Sequence, residues 1–519
     1  MKAIFIITIV LLTTSLHGNA QSILSGKDWS VNISEQGKIM TYTTNKEGQE
    51  ELVQFRVDEH AGPAFEGVEL SADKDGKFLY SGRRGDIRYS LQYKNDNGVL
   101  LVDACIENTG NKIYLPKYER LILGLNTYME KYPNWNDKFF PTMLRSEKTH
   151  FWGYAMTPSE RVFAFASPDP LASWNYEYFN YGNIENHEKA LRTGHRIFTV
   201  SMDVLHCLPL PDRHPQHLTK IEPGNKVSFK LYMKELAGLD DLSDFYSELT
   251  KAPVIELENY TVAAKYESVK GTIRADTKPH VMVFGPQNYA TEIGIKEVGD
   301  NLYCFEFKAN RGVGNYRITA QTDNGKISEA IAYFRDDWSW YLNQARKEAL
   351  EAKPTDTHHA ECFYPLYTYF LARRYLPNKE VDDKCEEIYN EIFSVLYDPT
   401  VKEMRDGKFR IQDAATMIGV LTDRYQVTGD IKDMENAAGL VDFLIKKQRE
   451  DGAYYNGHRH YTSVIYLANS IMEYFESAKD SLNNGSGAKQ AFFYWESLYL
   501  VKTYMHLVSF SSKLITLLC

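Results

Sequence analysis

Between about Ser22 and Leu236, apolar and polar residues alternate with a period of two, as in "FLYSGRRGDIRYSLQYKN", "GVLLVDACIENTG" and "NKVSFKLYMKEL". The runs are separated by "DKDGK", "NDNG" and "EPGNK". Alternation bounded by Gly, Asn and Asp turns predicts many short strands, hence a large antiparallel β-sandwich over residues 21–240. The "DKDG" at Asp73–Gly76 begins like a calcium loop but has no downstream Glu, so it reads as a hairpin turn. From Pro253 to Phe334, "VIELENYTVAAKY", "HVMVFGPQ", "NLYCFEFKAN" and "NYRITAQTDNGKISEAIAYF" predict six or seven strands. That is the size of a small immunoglobulin-like β domain, 253–334. "GVGNYR" at Gly312–Arg317 has no third glycine and no helix after it, so it reads as a hairpin turn and not a nucleotide fingerprint. At Asp336 the spacing changes to three and four. Seven helices are expected, at about Asp337–Ala352, Glu361–Tyr375, Val381–Tyr397, Gln412–Thr428, Lys432–Gln448, Thr462–Ala478 and Gln490–Phe510.

Three aromatic, Pro-containing stretches interrupt the first region: Tyr128–Met156, Ser167–Asn183 and His206–His217. They read as poor strands. Long non-strand segments in a compact domain tend to be functional loops. Trp135, Trp152 and Trp174 are expected there to wall a sugar site or to seal a contact with the helical region.

The links between the helices are of two kinds. Those leading from odd to even helices are "KPTDTHHAE", "DPTVKEMRDGKFRIQD" and "REDGAYYNGHRHYT". They hold His358, His359, Glu361, Arg405, Arg410, Gln412, Asp413, His458, Arg459, His460 and Tyr461. The others, "LPNKE", "TGDIKD" and "KDSLNNGSGAK", hold ordinary turn residues. In an array of antiparallel pairs, all odd-to-even links emerge at one end, so one mouth is chemically rich and the other plain. Helix N-termini and arginine forks at that mouth favour an anionic ligand. The even helices begin with small and aromatic residues, while the odd ones carry Lys and Glu runs, so even helices read as inner and odd as outer. An inner and an outer ring make an α/α toroid, here over residues 336–519.

A β-sandwich followed by α/α hairpins, with the segment "GHRHYTSVIYLANSIMEYF", resembles the six-hairpin glycosidases and toroidal polysaccharide lyases of gut Bacteroidetes type. The nearest resemblance is to exo-acting glucuronidases such as glycoside hydrolase family 154. The unsaturated glucuronyl hydrolases of families 88 and 105 are more distant. The resemblance implies a multidomain β + α chain: β-sandwich, small immunoglobulin-like unit and α/α toroid. Six hairpins need about twelve helices and this chain supplies about seven, so the toroid reads as incomplete and C-terminally truncated.

Composition narrows the chemistry. A net charge of −10 argues against a nucleic-acid partner. The opening "MKAIFIITIVLLTTSLHGNA" reads as a signal peptide, 1–20, too short to span a bilayer, which makes the chain secreted or periplasmic. The six cysteines form no CxxC pair, so free thiols are the expectation. Cys362 and Cys385, on consecutive helices, are the pair able to meet. No cofactor and no metal are expected, since the His458/His460 spacing is unspecific. The expected partner is an acidic oligo- or polysaccharide, with the oligomeric state open.

Three functions fit. A glycoside hydrolase needs two carboxyls, for which Asp413 as general acid and Glu361 are the candidates. A polysaccharide lyase needs a base and a neutraliser of the uronate carboxylate, for which Tyr461 and His460 with Arg459 or Gln412 serve. Here Asp413, Glu361, His460 and Tyr461 are the catalytic candidates. The substrate-binding candidates are His358, His359, Arg405, Arg410, Gln412, His458, Arg459, Trp135, Trp152 and Trp174. The third possibility is a non-catalytic glycan-binding protein.

Overall fold

The computed structural model describes residues 22–46, 49–55, 62–74, 76–125, 136–179, 197–211, 214–351, 364–405, 411–448, 455–456, 459–460 and 470–479. The chain is mixed β and α, and it separates into two compact units. The first comprises residues 1–261 and 268–333, the second residues 262–267 and 334–519.

The first unit begins with three antiparallel sheets. A four-stranded meander runs through Ser22–Ser25, Trp29–Ile33, Ile39–Lys46 and Gln49–Gln54. An eight-stranded sheet has the order Phe140–Ser146, Phe151–Met156, Val162–Ser167, Lys226–Leu236, Val99–Asn108, Ile87–Asp96, Leu79–Arg84, Ser71–Ala72. A further four-stranded sheet has the order Ser173–Phe179, Ile197–His206, Tyr118–Gly124, Ala64–Phe65. The period-two pattern produces this arrangement directly. In Trp29–Ile33 every second residue is buried, and Tyr89, Leu91 and Tyr93 alternate inward from their strand. Residues of all three sheets meet in one apolar core, where Tyr42 stacks on Trp29 with centroids 5.7 Å apart and meets Phe163 edge-on at 5.0 Å. Ser71–Ala72 pairs with Leu79–Arg84 around the "DKDG" stretch, which is a hairpin connection.

One expectation needs correction here. The aromatic stretches contain strands, at Phe140–Ser146, Phe151–Met156 and Ser173–Phe179. Pro141 is tolerated because its strand lies at the sheet edge, at a register shift between Pro141 and Met143. The segment after Leu236 holds a helix, α1 (Leu242–Thr250). Its apolar face buries Phe245 and Tyr246 against Trp152, Ala164 and Ala166.

The remaining strands of this region form two more sheets. One has the order Val254–Leu257, Ser268–Arg274, Leu302–Lys308, Ile295–Gly299. The other has the order Thr261–Ala263, Ile327–Arg335, Gly314–Gln321, His280–Phe284, Ala290–Glu292. The "GVGNYR" stretch is not a hairpin turn, since the strands before and after it lie in different sheets. Gly312 adopts φ +76°, and the Tyr316 hydroxyl donates to the Gly312 carbonyl at 3.0 Å while accepting from Arg311 N–H at 3.0 Å. This is a tyrosine corner of the kind found in sandwich crossovers.

A buried polar seam joins the two β regions inside the first unit. His150 is fully buried. Its Nδ1 lies 3.0 Å from Thr149 Oγ1 and its ring meets Trp152 edge-on at 4.4 Å. Lys326 donates from Nζ to the carbonyls of Thr149, at 2.9 Å, and Pro168, and Ser328 donates to the Pro253 carbonyl. Burial, with the charges of Lys326 and Arg145 nearby, holds the His150 imidazole well below its usual range. The folded chain therefore binds this proton more weakly than the unfolded chain, whose histidine titrates near about 6.5. The stability it contributes is present above that pH and is lost as pH falls through it, by up to about 1.4 kcal/mol per pH unit. Thermal melts of the wild type and His150→Gln between about pH 7.5 and 5 should diverge, with the wild type falling more steeply. Parallel curves would remove His150 as the source.

The second unit is helical. It contains α2 (Trp338–Glu351), α3 (Tyr364–Tyr375), α4 (Lys379–Leu396), α5 (Ile411–Thr428), α6 (Ile431–Lys447) and the helical residues 470–479, α7. These lie where the apolar spacing predicted helices. The expected seventh helix, Gln490–Phe510, lies outside the described residues. α4 buries one stripe, Asp382, Cys385, Tyr389 and Leu396, as an amphipathic surface helix does. In α5, Ile411 and every residue from Asp413 to Thr422 are buried. A helix buried all round must have neighbours on all sides. α3 is one of them: Tyr367 donates from its hydroxyl to the Thr416 carbonyl at 2.9 Å. At Gly419 an added Cβ would stand 2.3 Å from that hydroxyl, so only glycine allows the approach. α7 is another, with Gln426 Nε2 donating to Ser477 Oγ at 3.0 Å and Ile471, Tyr474 and Ala478 in the shared core. Among the described residues no helix is long and apolar enough to cross a membrane.

Candidate active site in the helical unit

The two kinds of link differ in structure as well as in composition. Counted within the helical unit, with α2 as its first helix so that α3, α5 and α7 are the even ones, the links from even to odd helices use turn and cap chemistry. Asn378 caps α4, its side chain accepting from Val381 N–H at 3.3 Å, and Asp430 caps α6 through Lys432 N–H at 3.1 Å. Gly429, at φ +71°, ends α5. Two of the odd-to-even links build short hairpins, and the first lies outside the described residues. Tyr397–Asp398 pairs with Glu403–Met404, and Tyr455–Asn456 pairs with Arg459–His460. The spacing of apolar residues gave no sign of these, because a two-residue strand carries no measurable period.

The first hairpin is fixed on its neighbours. Tyr397 closes an aromatic row from Phe370 through Tyr389 and Phe393, with successive centroids 5.2, 5.2 and 4.7 Å apart. Its hydroxyl donates to the Asn436 carbonyl of α6 at 3.3 Å. Arg405, at the hairpin's end, donates from Nε to the Tyr397 carbonyl at 3.1 Å and reaches Asp398 Oδ2 at 3.4 Å. The N–H of Thr400, with help from Arg405, holds the Asp398 carboxyl below its usual range. Arg405 thus ties the hairpin shut, and about half of its side chain remains exposed at the rim.

Asp413 and Gln412 lie in the first turn of α5. Asp413 is buried, at 3% exposure, between Ile411 and Ala414 in the helical core, and Gln412 is half-buried. Arg459 and His460 stand in the second hairpin, on the backbone of its return strand. His358, His359, Glu361, Arg410, His458, Tyr461 and Trp135 lie outside the described residues.

The two candidate tryptophans among the described residues, Trp152 and Trp174, belong to the first unit. Trp152 is 3% exposed and stacks on Tyr246 with centroids 5.2 Å apart. It is a core residue that seals α1 onto the sheet, and it offers no face to a sugar. Trp174 is half-buried on an edge strand, edge-on to Tyr176 at 5.5 Å.

A titratable group that sequence reasoning passed over stands at the opposite end of α5. Burial and the negative charge of Glu473 push the Asp423 carboxyl up to about 7, against the opposing pull of Arg374. These residues come from α5, α7 and α3. A charged residue on each of three helices read as inner was the available signal. Ten residues separate Asp413 from Asp423, about 15 Å along the axis. Glycosidase carboxyl pairs stand about 5–10 Å apart, so these two do not form one. Among the described residues, no group of three or more His, Cys, Asp or Glu is placed to hold a metal ion. Cys385 is a buried free thiol, its pKa pushed up to about 11 by burial, and Cys362 lies outside the described residues.

No family model matches the chain, and no curated protein matches it in sequence. Its fold is similar to that of a solved structure described as a polysaccharide lyase, with a TM-score of 0.61 at 13% identity, over 93% of this chain and 82% of that one. A family 76 glycoside hydrolase from a bovine Bacteroides thetaiotaomicron strain matches 49% of this chain and 64% of its own at 9% identity. Its TM-score of 0.24 is too low to support an argument.

Proposed function

We propose that this chain is an exported carbohydrate-active enzyme that cleaves a uronate-containing polysaccharide, with its site at the end of the helical unit where the odd-to-even links emerge. The supporting observation is a fold shared, over nearly the whole chain, with a protein described as a polysaccharide lyase. In this reading residues 21–240 and 253–334 are β domains that support the helical domain, 336–519. The reaction is elimination. A base, Tyr461 or His460, takes the proton from C5 of the uronate, the bond from C4 to the glycosidic oxygen breaks, and a C4–C5 double bond forms as the leaving oxygen gains a proton. Arg459 and Gln412 neutralise the carboxylate, which makes the C5 proton acidic enough to remove.

A second reading, hydrolysis of the glucuronidase type, is favoured by the burial of Asp413 in the first turn of α5. A carboxyl with little solvent around it keeps its proton more readily, as a general acid must.

One assay separates the readings. On a panel of uronate polysaccharides, the expected result is ultraviolet absorbance from the new double bond, rising with the count of new reducing ends. Tyr461→Phe should then lower the rate by at least about a hundredfold. Reducing ends without absorbance would transfer the reaction to hydrolysis, in which case Asp413→Asn is the variant that must fail. No new ends on any substrate would remove the enzymatic reading.

A further inference from the structure

The second unit carries an exposed aromatic surface that the cleavage reading does not use. Trp338 and Trp340, in the first turn of α2, are 64% and 47% exposed. Indole rings are rarely left this open to water without a partner to cover them. The pair is organised by its neighbours. Arg335 lies over the Trp338 ring at 4.2 Å, and Tyr341 meets Trp340 edge-on at 4.9 Å and Trp338 at 5.8 Å. Tyr266, also exposed, has its hydroxyl beside the Asp337 carboxyl, which raises the hydroxyl's pKa. Flat rings, a cation and hydroxyl and carboxylate groups are therefore gathered on one patch.

We infer that this patch is a glycan-binding platform, separate from the cleavage site, that holds a length of acidic polysaccharide on the enzyme. The inference rests on the proposed substrate class. Sugar rings present C–H faces that pack on indole, and their hydroxyls need polar partners at the edge, which Asp337 and Tyr266 supply. Arg335 adds a positive charge suited to a uronate carboxylate on a chain whose net charge is −10. A protein partner fits less well. A stable interface needs about 1,000 Å² or more with an apolar centre. Beyond Leu342 the exposed residues of α2 are Asn343, Ala345, Lys347, Glu348 and Glu351, so the apolar patch ends after the first turn.

The test is affinity electrophoresis of the full chain through gels containing polygalacturonate, hyaluronan or alginate, with dextran as the neutral control. The wild type should be retarded by at least one uronate polymer. Trp338→Ala/Trp340→Ala should bind that polymer roughly tenfold more weakly, with an unchanged melting temperature. Trp338→Phe should keep most of the retardation, and Arg335→Gln should lose part of it. Cleavage of a short oligosaccharide should be unaffected in the double variant, while cleavage of the polymer slows. Equal retardation of the double variant and the wild type overturns the platform, as does a wild type that no uronate polymer slows. Retardation that depends on the tryptophans in a chain that releases no product supports the platform and refutes the enzymatic reading instead.

Discussion

Replacing Arg424 by leucine is expected to destabilise the helical unit by about 3–5 kcal/mol, the cost of leaving buried carboxylates without their cation. Arg424 sits near the C-terminal end of α5 with 15% of its side chain exposed. It grips Asp433 of α6 with two bonds, at 2.8 and 2.7 Å, and Glu386 of α4 at 3.0 Å. The α6 cap Asp430 lies 3.5 Å away, and the guanidinium stands over the Tyr389 ring at 5.0 Å. Glu386 is also held by Arg373 of α3 at 2.8 Å. One planar fork thus joins three helices, with a fourth attached through Glu386. Arg424→Lys keeps the charge without the fork, so it should recover only part of the loss. Thermal melts monitored by helical circular dichroism will decide the matter. A leucine variant that melts with the wild type would show that the network is not holding the unit together.

Trp152→Ala is expected to cost about 3–5 kcal/mol in the first unit, as large-to-small changes of buried aromatics do. The indole fills the space between the Tyr246 ring of α1 and the His150 ring, and its removal exposes both. The effect should appear in denaturant midpoints and leave the glycan affinity of the folded fraction unchanged. An affinity loss at unchanged stability would return Trp152 to the candidate sugar contacts.

Trp152 also shows what the sequence could not disclose. The alternation of "SLQYKN" and the three-and-four spacing after Asp336 each record a local environment, one face wet and the other dry, and those elements were legible. Thus α2 to α6 lie within a few residues of the expected helices. A tryptophan in a Pro- and aromatic-rich stretch has the same local signature whether it walls a cleft or fills a core. Only pairing with Val162–Ser167 and packing by α1 put it inside. The candidate site divides in the same way. That Asp413 opens a buried helix was legible from "QDAATMIGVL", whose small residues leave no polar face. Asp423 was legible only as a charge on an inner helix; its raised pKa was not, since it comes from burial and from Glu473, fifty residues further along the chain.

The two ends of the helical unit differ in how freely they can change over evolutionary time. At one end, side chains of α3, α4, α5 and α6 share the Arg424 network, so a substitution there is felt by several helices together. At the other, two of the links are hairpins; the first is anchored at its base, where Tyr397 bonds Asn436, while its tip carries an exposed Val401. An antiparallel hairpin can lengthen or shorten by two residues without changing the pairing beneath it. The rim can therefore be rebuilt in discrete steps while the frame is left alone. Libraries that vary 399–402 and 457–458 should contain a higher share of folded members than libraries of equal size drawn from 423–433.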